Sequence, residues 1–394
     1  MSENINVWIV SCVRTAIGSF GGSLKSVPPT VLATEVIREA INRVPVDPSI
    51  VQQVVMGHVI LTEPKDVYLS RYAAISAGLS HSSTAITLNR LCGSGLHAIS
   101  TAALHIRAKD VSISVAGGSE SMSRGGFLLP ALRWGQRMGS TSADDVMLAA
   151  LHDPFKSVHM GVTAENLVSR YNLTREEQDE YALESNRRAS NAQRSGYFEA
   201  QIVPINVKEG RQTNVFKEDE RIRHDLDMDS LSKLKPIFDN EGTVTAGNSS
   251  GLNDGAAAVL LMSDQALKDH KIDPMLRIVS VAHAGVDPDY MGIGPVQAVK
   301  IALSRAGLSL KDIDVIESNE AFAAQCICVA RDLDFDSQKT NPNGGAIALG
   351  HPVAATGAML LVKMAYELKR INGRYGLLTM CIGGGQGIAM IVES

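Results

Sequence analysis

The sequence lacks any apolar stretch of the roughly 20 residues needed to cross a bilayer, so no membrane span is expected. It also lacks a dense basic block, and a net charge of −5 offers a nucleic acid backbone little attraction. Cysteine is sparse and odd in number. The five residues Cys12, Cys92, Cys326, Cys328 and Cys381 do not favour a disulfide framework and point to a reducing compartment, most simply the cytoplasm. No Cys-x-x-Cys or His-Glu-x-x-His occurs, and Cys326 and Cys328 point to different faces of a predicted helix, so no metal site is expected. No Gly-Lys-Ser/Thr follows a glycine run, which excludes a P-loop. The stretch MSENINVWIV enters a β-rich run without the basic and long apolar regions of a secretory signal, and the final IVES is not a peroxisomal address.

What is present is an ordinary globular composition, 45% hydrophobic and 20% charged, in a chain of 394 residues that can hold two or three domains. Short β-branched runs alternate with Ala-rich segments of helical spacing, the pattern of an α/β fold. NVWIVSCVR, VQQVVMGHVI and DVSISVAGG read as strands, and VLATEVIREAINRV and GLHAISTAALHIRA as helices. A comparable order returns after residue 270, with MLRIVSVAH, IDVIES and YGLLTMC as strands and VQAVKIALSRAG and GAMLLVKMAYELKR as helices. SGLHAISTAAL and TGAMLLVKMAY occupy matching places in the two halves, each followed by a strand and a glycine cluster, so the chain reads as a duplicated unit. Between the halves, TREEQDEYALESNRRASNAQRSGYF opens on a capping box, Thr174 with Glu177, and ends near Gly196 at a C′ position. Its polarity predicts a mostly solvated helix. The expected division is residues 1–120 with 250–270 as the first half, 121–249 as an inserted loop domain, and 271–394 as the second half.

Four clusters and one thiol are candidates for chemistry. In NRLCGSGLHA, Cys92 stands just before a helix, where unpaired N–H groups and the macrodipole favour a thiolate. Gly93 and Gly95 would let backbone approach a ligand there, although a buried Cys acting as a small filler fits as well. In TMCIGGGQGIAMIV, a strand ends at Cys381, a flexible Gly383–Gly387 loop follows and a second strand returns; a glycine-rich hairpin with a buried Cys would read the same. NPNGGAIALGHPVAATGA fixes His351 between Gly350 and Pro352 before a helix, placed to pair with a thiol or to serve structure. ESNEAFAAQ sets Asn319 before a helix, where an N-cap is the plain reading. GTVTAGNSSGLNDGAAA is small and polar, suited to turns or to an extended ligand lying along the backbone.

Together NRLCGSGLHA, GGSESMS, HMGVTAEN, GTVTAGNSSGLNDGAAA, ESNEAFA, NGGAIALGHP and CIGGGQG, in this order along essentially the whole chain, resemble the thiolase family. The wording around them looks most like bacterial β-ketothiolases of the acetyl-CoA acetyltransferase type, including those that accept longer acyl chains. The resemblance implies an α/β thiolase fold: two duplicated βαβαβαββ halves in five layers, α-β-α-β-α, with an inserted loop domain. It implies reversible condensation of acetyl-CoA with acetyl-CoA or a short acyl-CoA, and CoA-dependent thiolysis of 3-ketoacyl-CoA, through a ping-pong acyl-cysteine mechanism. Cys92 would carry the acyl group, His351 accept its proton, and Cys381 move the α-proton. His351 with a water on Asn319 would form one oxyanion hole, and the N–H groups of Cys92 and Gly383 a second. The CoA arm would lie along His159, Met160, Arg223, Ser230, Ala246, Ser250, Met291 and Phe322, with Arg221 an alternative to Arg223. No permanently bound cofactor is implied, only CoA and its thioesters, acetyl-CoA and acyl-CoA, as substrates, in fatty acid, polyhydroxyalkanoate or ketone metabolism.

Two positions depart from the family pattern: Ala354 and Ser249 stand where Gly and Ala are usual, and Ala354 would be strained if φ were positive there. Apolar Phe127, Leu128, Leu129, Leu132 and Trp134 in a loop-like context point to a homo-oligomer, and similar thiolases are tetramers built from tight dimers. The alternatives are a degradative 3-ketoacyl-CoA thiolase of broad chain length, a decarboxylating condensing enzyme, a non-catalytic lipid or CoA binder and a thiol redox protein. The late Cys381 argues against the second, and the joint presence of Cys92, His351 and Cys381 against the third. A thiol titration without CoA would expose the fourth.

Overall fold

The computed structural model describes residues 5–394, so the first four residues of MSENINVWIV lie outside it. The first half contains β1 (Val7–Thr15), α1 (Pro29–Asn42), β2 (Gln53–Gly57), α2 (Leu69–Ser76), β3 (Thr84–Leu88), α3 (Ser94–Arg107) and β4 (Ile113–Ser121). An excursion carrying α4 (Met160–Tyr171) and α5 (Arg175–Arg194) follows, before the chain returns through β5 (Asn253–Ser263). The second half contains β6 (Leu276–Gly285), α6 (Gly294–Ala306), β7 (Val315–Ser318), α7 (Ala323–Leu333), α8 (Thr356–Ile371), β8 (Tyr375–Ile382) and β9 (Gln386–Glu393).

The strand order is β3-β2-β4-β5-β1 in the first half and β7-β8-β9-β6 in the second. The directions match as well: β5 and β9 are each antiparallel to both neighbours, while β2–β4 and β7–β8 are parallel. Where the first half has β3, the second keeps one parallel bridge, Ile316 to Thr340. The duplication therefore extends to register and direction. The halves join where Trp8 and Ile9 pair with Arg277 and Leu276.

Period-two alternation builds the layers. Along β5, Ala256, Ala258, Leu260 and Met262 join the core under α1 and α2, whereas Ala257, Val259 and Leu261 join the central core containing α3 and α8. In the second half Leu377, Ala389 and Ile391 face α6, while Leu378, Met380, Met390 and Val392 face the center. The result is the expected α-β-α-β-α stack. Helix α8 buries 12 of its 16 residues, Lys363 and Glu367 among them, as a helix between two sheets must.

Glycines set the spacing of the central pair. A Cβ on Gly95 would lie 2.8 Å from the Ala354 carbonyl and one on Gly357 2.5 Å from the Leu96 nitrogen, so α3 and α8 cross where both lack side chains. A Cβ on Gly93 would strike Ile382 at 2.4 Å. These glycines serve packing between halves, not the approach of a ligand expected of Gly93 and Gly95. Their consequence is functional all the same: the turns preceding α3 and α8, which hold Cys92 and His351, are brought side by side.

Three other expectations need correction. The strand expected over VQQVVMGHVI spans only Gln53–Gly57. The polar GTVTAGNSSGLNDGAAA hides the start of β5, buried at every residue because both faces of this central strand are covered. Helix α5 has the expected capping box and ends before Gly196, whose φ is +73°, but one face is buried. That face is made of small and polar residues with partners: Gln178 donates to the Thr174 carbonyl and to Thr243, and Ser185 donates to Glu320 at 2.6 Å. Among the described residues no helix is long and apolar enough to cross a membrane, and no group of His, Cys, Asp and Glu is arranged to hold a metal ion.

Candidate active site

Cys92 sits in a single tight turn, Leu91–Gly93, that ends where α3 begins. Leu91 adopts φ +47°, a left-handed conformation that costs a non-glycine residue about 1–3 kcal/mol and persists only when its surroundings impose it. They do so here: Leu91 N–H donates to Asn89 Oδ1 at 3.0 Å, and Ser94 Oγ donates to the Leu91 carbonyl at 2.7 Å while accepting from Arg90 N–H at 2.8 Å. Arg90 also clamps Gln386 Oε1 at 3.0 and 3.2 Å, tying this turn to the hairpin that follows Cys381. The N–H groups of Cys92 and Gly383 both point at the Cys92 sulfur, and burial pushes its thiol up to about 11. The thiolate expected from the helix terminus is thus not the resting form, because desolvation outweighs the two N–H donors.

His351 follows Gly350, whose φ of +115° and close approach to Asn253 leave no room for a side chain. Its N–H donates to Asn253 Oδ1 at 2.9 Å. The imidazole tautomer follows from its partners. Thr356 Oγ1 donates its proton to the Pro352 carbonyl at 2.9 Å, so at 2.6 Å from His351 Nδ1 it can only accept. Nδ1 therefore carries the hydrogen and Nε2 offers a lone pair. Burial holds the ring neutral by pulling its pKa down to about 4, and Nε2 is buried without a protein partner. A neutral base beside a neutral thiol is the resting state. Ala354 has no positive φ, so the departure at that position introduces no strain, and Ser249 donates to the Thr245 carbonyl at 2.7 Å.

Cys381, one residue before the end of β8, is a buried thiol, pushed well above its usual range by burial and then by Cys92 nearby. The loop expected to be flexible is a tight hairpin, with Gly384 and Gly385 at φ +79° and +83°. Gly383 is not left-handed; a Cβ there would sit 3.0 Å from Met160, beside the N–H that faces Cys92. Asn319 does not cap a helix, since α7 begins at Ala323 with Phe322 as its N-cap residue. Its amide is fully buried and both side-chain polar atoms lack a protein partner, an arrangement that costs free energy unless a water or substrate oxygen is bound.

These groups meet in a cavity of about 310 Å³, lined by Cys92, His351, Cys381 and Gly383 together with His159, Met160, Ala246, Ser250, Met291 and Phe322. Asn319 is buried and does not line it. Arg223 and Ser230 do not line it and are exposed, whereas Arg221 does, donating to the Ile347 and Ser249 carbonyls at 3.1 and 3.2 Å. Of the two arginines weighed from sequence, the inner one is thus the neighbour of the cavity. His159 caps α4 by accepting from Gly161 N–H at 3.0 Å and stacks on Phe238 at 4.5 Å, and burial draws its pKa down to about 4. Phe238 was not singled out from sequence, nor was the apolar branch formed by Met122, Leu148, Leu151 and Val353. Nothing local marks those side chains as site residues.

The family models "Thiolase, N-terminal domain" and "Thiolase, C-terminal domain" match residues 7–265 and 272–394. The beta-ketothiolase BktB of Cupriavidus necator is 56% identical over 389 residues, covering 98% of each chain. The crystal structure of the Bacillus anthracis acetyl-CoA acetyltransferase superposes with TM-score 0.98 at 45% identity, covering 100% of both chains. Human mitochondrial 3-ketoacyl-CoA thiolase in complex with CoA gives 0.96 at 42% identity, covering 100% of this chain and 99% of that one.

Proposed function

The chain belongs to the thiolase family and is an acyltransferase acting on CoA thioesters, and we propose that it runs a ping-pong exchange in which Cys92 carries the acyl group. The observation that carries this reading is the convergence on one cavity of a thiol facing two N–H donors, a neutral imidazole and a second thiol.

In thiolysis, His351 Nε2 takes the Cys92 proton as sulfur attacks the 3-keto carbon. The C2–C3 bond then breaks, and Cys381 gives its proton to C2 of the departing acetyl-CoA enolate. The Cys381 thiolate next takes the proton of incoming CoA, whose sulfur attacks the acyl-cysteine, and His351 returns its proton to Cys92. Condensation is the reverse: Cys381 protonates the leaving CoA thiolate, then removes the α-proton of acetyl-CoA. Oxygen charge develops twice. The Cys92 and Gly383 N–H groups would hold it on the acyl-cysteine side, and protonated His351 with an Asn319-bound water on the enolate side. One such donor is worth about a factor of 10² to 10³ in rate.

The CoA arm would run past His159, Met160, Ala246, Ser250, Met291 and Phe322, with Arg221 the nearer cation. Residues 121–249 would act as a loop domain between duplicated halves. Phe127 and Leu128 are exposed and Trp134 is 90% exposed, which supports a homo-oligomer; the proposed form is a tetramer of two dimers, in the cytoplasm. Light scattering showing a stable monomer would remove the assembly reading. The activity is tested with acetyl-CoA alone, which should add one acetyl group per site on the LNRLCGSGLHAIS peptide. Acetyl found on Cys12, Cys326 or Cys328 would overturn it. Rates against 3-ketoacyl-CoA of increasing length then separate acetoacetyl-CoA specialists from broad degradative thiolases.

A further inference from the structure

Behind the wall of the cavity lies a fully buried charged cluster that the steps above do not use. Glu120, near the end of β4, has no exposed surface. One of its oxygens, Oε2, accepts from the Ala354 N–H at 3.1 Å, in the turn three residues after His351. The other, Oε1, accepts from the Ile60 N–H at 3.0 Å. Ile60 packs with Met122, Met147 and Val353 in a small apolar cluster that touches Cys92. A single carboxylate thus joins the turn carrying the base to the apolar wall beside the nucleophile.

The charge of that carboxylate is matched by His58. His58 Nδ1 lies 3.3 Å from Glu120 Oε1 and 3.0 Å from the Ser119 carbonyl, and Nε2 faces Asp66 Oδ2 at 3.6 Å. Nδ1 has the Ser119 carbonyl within hydrogen-bond distance and Nε2 has no hydrogen-bond partner; burial opposes a charge on the ring, but the carboxyl groups of Asp66 and Glu120 on its two sides outweigh it and favour the imidazolium. Asp66 is itself fixed by the Thr62 and Glu63 N–H groups at 2.6 and 3.0 Å. Cation and anions are interleaved. Such buried ion sets are weak evidence of stability, since the desolvation cost is large, and their retention calls for another reason.

We propose that Glu120 is a positioning residue for acyl transfer, fixing the His351 turn to the wall of the acyl pocket, and that the His58 cation neutralises it toward the Cys92 sulfur. This rests on Cys92 as the acyl carrier. The titratable and charged groups around Cys92 are Glu120 from β4, Cys381 from β8, His351 from the turn before α8 and, lining the same cavity, His159 and Arg221; those around His58 are Glu120 and Asp66. Glu120 is the one carboxyl group among the former; burial raises its pKa against the opposing pull of His58 and the Ile60 and Ala354 N–H groups, and its charge disfavours the Cys92 thiolate.

The test uses Glu120→Gln and His58→Gln in the full-length protein, with three readouts: melting temperature, kcat and KM for thiolysis, and the pH midpoint of Cys92 alkylation by iodoacetamide, read on the Cys92 peptide by mass. Glu120→Gln retains one acceptor and loses the charge. Its kcat should fall about 10- to 100-fold with KM nearly unmoved, the loss typical of a catalytic group displaced by about an ångström. The alkylation midpoints should move in opposite directions, down in Glu120→Gln and up in His58→Gln. A purely structural cluster would lower the melting temperature of both variants and leave the midpoints unmoved, or shift them together; either result overturns the proposal. If Glu120→Gln fails to fold, His58→Gln alone decides by its midpoint, where no rise overturns the proposal. Acetyl labelling of Cys92 in the unmodified protein keeps the two readings apart: a missing label defeats the acyl-carrier assignment, whereas normal labelling with unmoved midpoints defeats only the role of Glu120.

Discussion

Replacing Thr356 by Val isolates the hydrogen bond that fixes the His351 tautomer. Thr356 is buried, does not line the cavity, and differs from valine by one hydroxyl in place of a methyl group. The Pro352 carbonyl loses one donor but keeps the N–H groups of Ala355 and Thr356 at 2.9 and 3.0 Å, so only His351 Nδ1–H is orphaned. An unsatisfied buried donor costs about 1–3 kcal/mol, and that is the expected loss of stability. The same energy now disfavours the proposed catalytic tautomer relative to the one with hydrogen on Nε2, which has no lone pair on the ring nitrogen left without a protein partner. At 1.36 kcal/mol per decade, the competent fraction and the acylation rate should fall about 5- to 150-fold. Rapid-quench mass spectrometry of Cys92 acetylation at saturating acetyl-CoA measures this rate directly, and KM should change little. A variant with lowered stability and an unchanged acylation rate would refute the assignment of hydrogen to Nδ1.

Three further outcomes are expected. Cys381→Ala removes the carbon acid and base, so condensation and α-proton exchange should slow by about 10²- to 10⁴-fold. Acetyl exchange between CoA thiols at Cys92 also draws on the Cys381 proton but should lose less, because a CoA thiolate can leave and enter through solvent whereas the α-carbon needs a positioned base; equal loss of both would dismiss Cys381 from the carbon step. The neutral, buried His351 makes stability depend on pH in a definite direction. Its pKa is about 4 when folded and 6.5 in the reference state, so between these values the unfolded chain binds more protons, and stability declines as pH falls through that window. The full difference is about 3 kcal/mol. Urea midpoints at pH 7 and 5 in wild type and Thr356→Val/His351→Gln test it; a wild-type slope no steeper than that of the variant without His351 contradicts the buried neutral ring. Lastly, Arg221→Ala should raise the KM for CoA by about tenfold, roughly the 1.4 kcal/mol of one charged hydrogen bond, while Arg223→Ala has the smaller effect. The reverse ranking would restore the outer arginine.

The parts of the fold legible in the sequence were those governed by local periodicity. The strands of both halves and the helices after Cys92 and His351 follow from alternation and helical spacing, and the Thr174–Glu177 capping box was visible because it is closed within one turn. Strand β5 was obscured because it begins Asn-Asp-Gly, residues disfavoured in strands, which here serve contacts made by tertiary neighbours: Asn253 receives the His351 N–H and Asp254 accepts from Ser123. Helix α5 looked solvated because its buried face is polar, and only the partners across the interface satisfy it. Asn319 looked like a helix cap because the Phe322 N-cap depends on where the backbone turns, not on which residues are good caps.

The state of Cys92 shows why the chemistry of a site is less legible than its position. A helix start next to glycines correctly places the thiol, and from local sequence alone the macrodipole makes it a thiolate. The field of one helix end is short-ranged and worth at most about 2 kcal/mol, whereas burial of a charged sulfur is limited only by how completely the rest of the protein encloses it. Enclosure is supplied by residues hundreds of positions away, among them Ile382 against Gly93 and the Gly383 hairpin over the sulfur. The sign of the shift is therefore a tertiary quantity. On the mechanism proposed above, activation would then not be stored in the resting thiol: the proton would leave as the thioester arrives, when the Cys92 and Gly383 N–H groups would gain an oxyanion to hold and His351 Nε2 a proton to direct at the substrate. A site built this way keeps both of its thiols protonated, and so less nucleophilic toward adventitious electrophiles, until a thioester fills the cavity.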